Sequence, residues 1–230
     1  MDYELALYQQ FYGDPPADPP EYDDFAMGSG FDAPPARMEG PPQPELPHPV
    51  PPTVPENPGP HGECCLCLPY PPARACKPCE RTARIISSAY AGCLSELSAA
   101  MQYFYQSLFF APCYPEAAKT LGCISRCEMR HIRLLGELLV SLGCPPKYRA
   151  TTPQNASGWW NASPSFVHYD TRLESALLDN LSGEMKAIEF YRRTIQQIDD
   201  DGVCLLLRRI ILDEEHHIEL FKAIYERCLR

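Results

Sequence analysis

The 230-residue sequence has no long apolar run and almost no basic residues near its start. No Lys or Arg precedes Arg37, and no stretch of about 18 apolar residues occurs anywhere. We therefore expect no membrane-spanning helix and no secretory signal. The formal net charge of -10 leaves no basic face of the kind that nucleic acid or an anionic membrane requires. These absences predict a cytoplasmic protein that binds neither nucleic acid nor membrane.

Proline and charge divide the sequence into two parts. Of the 26 prolines, 20 lie in residues 1–80. The same part carries 13 acidic and three basic side chains, whereas residues 81–230 carry 17 of each. Because proline runs cannot continue a helix or a central strand, residues 1–80 are predicted to be a disordered, acidic tail. Residues 81–230 are predicted to form the folded domain.

Two interpretations of the tail are open. It could be an inert linker of polyproline-like conformation. Alternatively, its aromatic start could dock on a protein partner or on the second subunit of a homodimer. The residues that favour docking are Tyr3, Leu5, Leu7, Tyr8, Phe11 and Tyr12.

Five of the 12 cysteines lie at the end of the predicted tail, between residues 64 and 79. Because disulfides are rare in cytoplasmic proteins, we expect these thiols either to bind a metal ion or to remain reduced and redox-sensitive. The other seven fall mostly in predicted helices, where packing is the expected role. The five tail cysteines are Cys64, Cys65, Cys67, Cys76 and Cys79.

Four segments of the domain show helical periodicity, at about residues 81–111, 115–143, 171–199 and 203–228. No strand-like alternation competes with them, so the predicted fold class is all-α, a four-helix bundle built from two antiparallel hairpins. Short turns join the helices of each hairpin, and residues 144–170 must cross the length of the bundle. About 25 extended residues can span roughly 80 Å, which is more than such a crossover needs.

The apolar stripe of each predicted helix is interrupted near its middle by polar residues. The first and third helices contribute a lone glutamate, and the second and fourth contribute a Glu-x-x-His pair. Burying several carboxylates together is costly unless something neutralises them. A divalent metal does so, because it binds carboxylate oxygen and imidazole nitrogen. The six residues are Glu96, Glu128, His131, Glu184, Glu214 and His217.

The lengths of the predicted helices bring these six residues to one level. Fifteen residues separate Glu96 from Ala111, and 13 separate Pro115 from Glu128, which correspond to about 22 and 20 Å of helix. The second pair of helices has nearly the same spacing. Asp213 and His216 lie beside the stripe rather than on it, so a supporting or surface role is expected for both.

With these residues and spacings, the domain resembles the ferritin-like superfamily of carboxylate-bridged dinuclear-metal proteins, which includes bacterioferritins and rubrerythrins. The resemblance covers residues 81–230 and rests on the two Glu-x-x-His pairs, on the lone glutamates and on the segment Cys-Leu-Ser-Glu-Leu at residues 93–97. It implies that the six residues bind two metal ions, with Glu128 and Glu214 as bridging carboxylates. It also implies that Tyr103 and Tyr191 orient carboxylates through hydrogen bonds.

The resemblance implies a di-iron oxidoreductase that acts on Fe(II) with oxygen or peroxide, by ferroxidase or peroxide-scavenging chemistry. A dimanganese, catalase-like enzyme is the second interpretation, because the ligands do not select the metal. In a third interpretation the protein is not an enzyme. The metal would stabilise the bundle, and the tail would bind protein partners. Ala187 stands where rubrerythrins carry an additional carboxylate, so their peroxidase-type metal movement is not expected. Nor is iron storage in a shell, since cage-forming ferritins lack such a proline-rich arm.

Overall fold

The computed structural model describes residues 64–151, 157–160 and 166–229. Most of the predicted tail, including its aromatic start, lies outside these residues, and its proposed docking role stays a prediction. The described chain forms five α-helices and one two-stranded hairpin. The elements are α1 (Glu80–Ala91), α2 (Glu96–Phe109), α3 (Pro115–Ser141), β1 (Arg149–Thr151), β2 (Ser157–Trp159), α4 (Leu173–Gln197) and α5 (Asp201–Leu229).

Four of the helices form a bundle in which α2 packs along α3 and α4 packs along α5. The predicted all-α four-helix bundle is therefore confirmed. Each helix turns its apolar stripe inward, since residues three and four apart share one face. None of the described helices combines the length and apolarity needed to cross a membrane. The fully buried core includes Leu121, Ile124, Leu135, Leu177, Leu207, Ile210 and Phe221.

Local sequence explains where the long helices begin and end. Pro115 occupies the first turn of α3, where a missing backbone N–H has no cost. Shortly after α3, Gly143 has a φ of 83°, a conformation that ends helices and favours glycine. Between α4 and α5, the Asp200 carboxylate accepts hydrogen bonds from the N–H groups of Val203 (3.1 Å) and Cys76 (2.8 Å). Pro115 and Asp200 thus belong to the short connections within the two hairpins, whereas Gly143 begins the long connection from α3 to α4.

The first predicted helix is interrupted at residues 92–95, which differs from the single helix expected over residues 81–111. The backbone of Gly92 is extended, and a Cβ atom there would lie 2.4 Å from the Ser88 carbonyl oxygen. The Ser95 hydroxyl donates to the Gly92 carbonyl (2.8 Å) and accepts from the Ser98 N–H (3.3 Å). This serine cap starts a new helix, with Glu96 as its first residue.

The connection between α3 and α4 is long, as predicted, but it contains a small hairpin. Strands β1 and β2 pair antiparallel, with Arg149 opposite Trp159 and Thr151 opposite Ser157. Strands of three residues are too short to produce a recognisable alternation, and the sequence therefore did not predict them. After the hairpin, the Trp160 indole donates to the Ser98 hydroxyl (2.9 Å), which attaches the connection to α2.

Residues 64–79, which the sequence assigned to the tail, pack against the bundle. Two disulfides join the start of this segment to α3, Cys64–Cys123 and Cys65–Cys127. A metal site or reduced cluster made from the tail cysteines is therefore wrong for Cys64 and Cys65. It was expected because the spacing within the tail is visible in the sequence, whereas partners about 60 residues away are not. Cys67, Cys76 and Cys79 form no disulfide.

Candidate metal centre

Six buried polar side chains meet in the middle of the four-helix bundle. The lone glutamates come from α2 and α4, and the Glu-x-x-His pairs come from α3 and α5. Each has at most 4% of its surface exposed. Because all of them lie on core-facing positions of the helical period, packing the apolar stripes brings them together. They are the six residues that the sequence predicted, namely Glu96, Glu128, His131, Glu184, Glu214 and His217.

In the first group, three carboxylates surround the imidazole of His131. Its Nδ1 atom lies 3.0 Å from Glu128 Oε2, 3.3 Å from Glu96 Oε2 and 3.3 Å from Glu214 Oε1. A ring nitrogen carries one hydrogen at most and cannot donate to three carboxylates at once. The crowding of acceptor atoms around Nδ1 indicates a place for a cation rather than a set of hydrogen bonds.

The second group surrounds His217 in the same way. Its Nδ1 atom lies 2.8 Å from Glu128 Oε1, 3.0 Å from Glu214 Oε2 and 3.6 Å from Glu184 Oε1. The lone glutamate of α4 therefore occupies the position that Glu96 of α2 has in the first group. The two halves of the bundle build equivalent sets of one imidazole and three carboxylates.

Glu128 and Glu214 belong to both groups, and each directs one oxygen to each imidazole. In each group the four potential ligand atoms lie within 4.8 Å of one another. Although each lies close to an imidazole nitrogen, buried Glu128 Oε1 and Glu214 Oε1 make no hydrogen bond of suitable geometry, which is costly unless a cation is their partner. Carboxylate oxygens and imidazole nitrogens suit Fe(II) and Mn(II). The residues present therefore fit two divalent metal ions bridged by two carboxylates.

The pKa values of the metal-free residues also indicate that the buried carboxylates carry more negative charge than the two imidazoles can neutralise. Burial, followed by the negative charge of Glu214, raises the pKa of Glu96 well above its usual range and that of Glu184 to about 8. Burial also opposes charge on Glu128, but His217 and His131 outweigh it and hold the pKa of Glu128 below its usual range. Without metal, the centre must take up protons to limit the repulsion between its carboxylates.

Two tyrosines support the lone glutamates from the neighbouring helices. The Tyr103 hydroxyl of α2 donates to Glu184 Oε1 of α4 at 2.7 Å, and the Tyr191 hydroxyl of α4 donates to Glu96 Oε1 of α2. Burial and the adjacent carboxylates raise the pKa of both phenols, which therefore stay protonated and keep donating. The crossed arrangement restricts how each lone glutamate can turn, and it places both tyrosines where the sequence suggested.

Asp213 supports His131 from the outer side of the centre. The carboxylate is fully buried, and its Oδ2 lies 3.2 Å from His131 Nε2 and 2.6 Å from Arg209 Nη1. This contact leaves Nδ1 of the imidazole directed at the glutamates. Asp213 precedes Glu214 and stands four residues after Arg209, so the charge pattern of α5 was the one signal in the sequence for this pair.

Residues 66–70 complete this outer side, and sequence reasoning missed them. The Leu66 N–H donates to Asp213 Oδ1 (2.8 Å), and the Tyr70 hydroxyl donates to Asp213 Oδ2. The Tyr70 ring lies between the guanidinium groups of Arg130 and Arg209, at 4.5 and 4.1 Å from its centroid. The segment thus covers His131 with a partly buried network of hydrogen bonds and cation–π contacts.

A cavity of about 110 Å³ reaches the centre from the side of α2 and α4. Its lining includes both lone glutamates and both supporting tyrosines. Ala187 also lines it, so a small apolar residue faces the space near Glu184. A cavity of this size admits a small molecule to the two carboxylates that are not shared.

Comparison with known proteins identifies the family of the chain. The family model for rubrerythrin matches residues 88–225, which is more than half of the chain. None of the curated proteins compared with the chain is significantly similar to it.

Two solved structures share the fold. The manganese catalase KatB from Anabaena has a TM-score of 0.58 and 21% identity, over 65% of this chain and 73% of that one. A bacterioferritin from Desulfovibrio desulfuricans with a diiron site has a TM-score of 0.53 and 21% identity, over 64% and 78%. The resemblance predicted from the sequence is confirmed: the chain belongs to the rubrerythrin family, as a ferritin-like dinuclear-metal carboxylate protein.

Proposed function

We propose that the protein is a di-iron oxidoreductase that oxidises Fe(II) and reduces hydrogen peroxide or oxygen. The observation that supports it best is the sharing of Glu128 and Glu214 between two groups that each contain one histidine. Two iron ions held there would supply one electron each, and the reduction of peroxide to water requires two electrons. The six predicted residues, Glu96, Glu128, His131, Glu184, Glu214 and His217, would hold the ions.

The residues around the centre have separable roles in this proposal. Tyr103 and Tyr191 hold Glu184 and Glu96 by hydrogen bonds, and they oppose rotation of these carboxylates when a small molecule enters. Asp213 accepts from Nε2 of His131 and so keeps Nδ1 available as the ligand atom. The cavity between α2 and α4 gives oxygen or peroxide a path to the lone glutamates.

The test is metal content after anaerobic loading with Fe(II) and removal of the excess, measured by mass spectrometry. The wild-type protein should retain about two ions per chain, and a Glu128→Ala/Glu214→Ala variant should lose most of them. A matched control is Glu137→Ala/Glu219→Ala, which removes one glutamate from each of the same two helices. Both control side chains are more than half exposed, and each pairs with a cation of its own helix, Glu137 with Arg133 and Glu219 with Lys222.

Peroxide added to the loaded protein should then oxidise two Fe(II) ions for each molecule of peroxide. A ferrous chelator measures the Fe(II) that remains. Negligible bound iron in a folded protein would contradict the proposal. Equal iron content in the two double variants would also contradict it, since the shared carboxylates would then not be ligands.

The donor atoms also favour a second candidate, a dimanganese catalase-like enzyme, because all six are hard oxygen or nitrogen donors that suit Mn(II) equally well. Loading with both metals in competition separates the two. Retention of manganese together with oxygen release from peroxide would replace the di-iron proposal by this one.

A further inference from the structure

The Cys65–Cys127 disulfide lies against the outer edge of the candidate metal centre. Cys127 directly precedes Glu128 in α3, and its sulfur lies 3.8 Å from Nε2 of His131. The other nitrogen of the same imidazole faces the carboxylates. A disulfide sulfur is therefore in contact with a candidate ligand of the metal.

Two disulfides lie at this place, and the second adds less to the stability of the fold than the first. Cys64 and Cys65 are neighbours in the sequence, and Cys123 and Cys127 are one helical turn apart. Either bond alone closes a loop of about 60 residues. Once one is formed, the other closes a ring of only a few residues, and the entropic stabilisation by a disulfide grows with loop length. Opening one of the two bonds should therefore cost little stability while the other stays closed.

The two bonds differ in their access to solvent. Cys64, Cys123 and Cys127 are buried, whereas Cys65 is partly exposed. A thiol in solution can therefore reach the Cys65–Cys127 bond at its Cys65 sulfur, while the Cys64–Cys123 bond is shielded at both ends. Hydrogen bonds from Leu66 and Tyr70 to Asp213 also hold this segment on the bundle, so Cys65 would stay beside Cys127 when the accessible bond is open, with or without the buried bond.

We propose that Cys65 and Cys127 form a dithiol–disulfide relay that carries electrons from an external dithiol to the metal centre. This inference rests on the proposed function, because it supplies the electrons that repeated peroxide reduction consumes. Within the part of the chain that the structure describes, no other pair of cysteines is bonded next to the six candidate ligands.

The reaction balances with peroxide as the oxidant. The thiols of Cys65 and Cys127 lose two electrons and two protons, and an S–S bond forms between them. Hydrogen peroxide accepts the two electrons and two protons, its O–O bond breaks and two waters form. Transfer along the contact between Cys127 and His131 connects the sulfur to the centre without movement of the backbone.

An external dithiol closes the cycle by thiol–disulfide exchange. Its thiolate attacks the sulfur of Cys65 and releases the Cys127 thiol, and its second thiol then resolves the mixed disulfide. The dithiol leaves as a disulfide, and Cys65 and Cys127 regain their S–H bonds. Attack at Cys65 is the favourable direction, because Cys65 is partly exposed whereas Cys127 is buried.

The relay and the cavity lie on different sides of the centre. The cavity opens between α2 and α4, whereas Cys127 belongs to α3 and the attached segment contacts Asp213 and Arg209 of α5. Oxidant and reductant would thus approach separately, so the external dithiol need not enter the cavity that admits peroxide.

The first test counts thiols in the full-length protein. The protein is reduced with dithiothreitol, freed of it, loaded anaerobically with Fe(II) and treated with limiting hydrogen peroxide. Acid quenching, alkylation and peptide mass spectrometry then report the state of Cys65 and Cys127. Two Fe(II) ions and two thiols together supply four electrons, which is enough for two peroxides per chain. After two equivalents of peroxide we therefore expect Cys65 and Cys127 to be recovered as one disulfide per chain. The loss of thiols should be at least about tenfold slower without iron.

Two double variants test the assignment to one bond. Cys65→Ala/Cys127→Ala should lose peroxide turnover supported by dithiothreitol. The matched control Cys64→Ala/Cys123→Ala removes the other bond and should keep that turnover. Circular dichroism verifies that both variants are folded. If a variant does not fold, the thiol count on the wild-type protein still tests the relay.

The outcomes separate this inference from the proposed function. If both thiols remain after two equivalents of peroxide have oxidised the wild-type iron, or if Cys65→Ala/Cys127→Ala turns over like the wild-type protein, the relay is refuted and the proposed function stands. If peroxide does not oxidise bound Fe(II), or no iron binds, the proposed function fails first. Equal thiol loss with and without iron would also overturn the relay.

Discussion

At the scale of single residues, the candidate centre depends on side chains that do not touch the cations it would hold. Asp213 is the clearest case, because four groups from three parts of the chain contact its carboxylate. They are His131, Arg209, Tyr70 and the N–H of Leu66. Burial alone would raise the pKa of Asp213, but the contacts with His131 and Arg209 hold it below its usual range. The charge of Asp213 thus keeps a buried guanidinium and an imidazole in place.

Asp213→Asn should therefore weaken both the fold and metal binding. Arg209 has only 6% of its side chain exposed, and leaving it without a charged partner costs about 3–5 kcal/mol. Loss of the contact to His131 should lower iron affinity by roughly 10- to 100-fold. Chemical denaturation and iron titration measure the two effects.

The control for this substitution is Glu189→Gln, which breaks an exposed ion pair with Arg193 and should change the unfolding free energy by about 0.5 kcal/mol or less. If Asp213→Asn were as stable as Glu189→Gln and bound iron equally well, the supporting role of Asp213 would be refuted.

At the scale of secondary-structure elements, the interruption between α1 and α2 makes a candidate metal ligand the first residue of a helix. Glu96 is the first residue of α2, so its carboxylate lies at the end of the helix that carries partial positive charge. The Ser95 cap and the close approach of Gly92 to Ser88 place that helix end beside the metal centre. An uninterrupted helix would remove this helix end and its serine cap from the side of the centre.

Gly92→Ala should destabilise the protein through this junction. The new Cβ atom would lie 2.4 Å from a backbone carbonyl oxygen that cannot rotate away, so the backbone must shift. The expected loss of stability is about 1–3 kcal/mol, with lower iron content because Glu96 moves. Thermal unfolding and metal analysis measure these changes.

Gly122→Ala is the matched control, because that glycine lies inside α3 and its added Cβ would meet only ordinary contacts of 3.4 Å or more. Alanine favours a helix over glycine by about 1 kcal/mol, so this variant should be equal to or more stable than the wild-type protein. A Gly92→Ala variant that matched it would show that the junction tolerates a continuous helix.

At the scale of the whole molecule, stability should depend on whether protons or metal ions neutralise the centre. In the metal-free protein, burial and the charge of Glu214 raise the pKa of Glu184 to about 8, from an ordinary value of 4.5. Between these values the folded chain holds a proton that the unfolded chain has released. A rise in pH therefore favours the unfolded state.

The metal-free protein should consequently lose stability as the pH rises from about 5 to about 8. His131 and His217 act in the same direction, because burial opposes their charge but the neighbouring carboxylates raise the pKa of both. Urea unfolding across this range measures the effect. The iron-loaded protein is the control, since metal requires deprotonated carboxylates and should remove or reverse the dependence. A metal-free protein that gained stability towards pH 8 would contradict the prediction.

Much of the fold and of the candidate site could be predicted from the sequence, because their signals are local. Helical periodicity identified the long helices, and the spacing of Glu128 with His131 follows from a single turn of helix. The level of Glu96 and Glu184 follows from helix length alone. The break at Gly92 was missed because apolar periodicity continues across it, although glycine and serine at its two ends were the available signal.

The sequence by itself therefore determined the helices, the six candidate ligands and the family. Only the tertiary structure decided what surrounds them. Cys65 meets Cys127 across 62 residues and Tyr70 meets Asp213 across 143, and no local spacing encodes either contact. Such pairs form because packing of the helices creates the surface on which residues 64–79 settle. The physical reason is that periodicity reports which face of an element is buried, whereas the partner buried against that face depends on the whole folded chain.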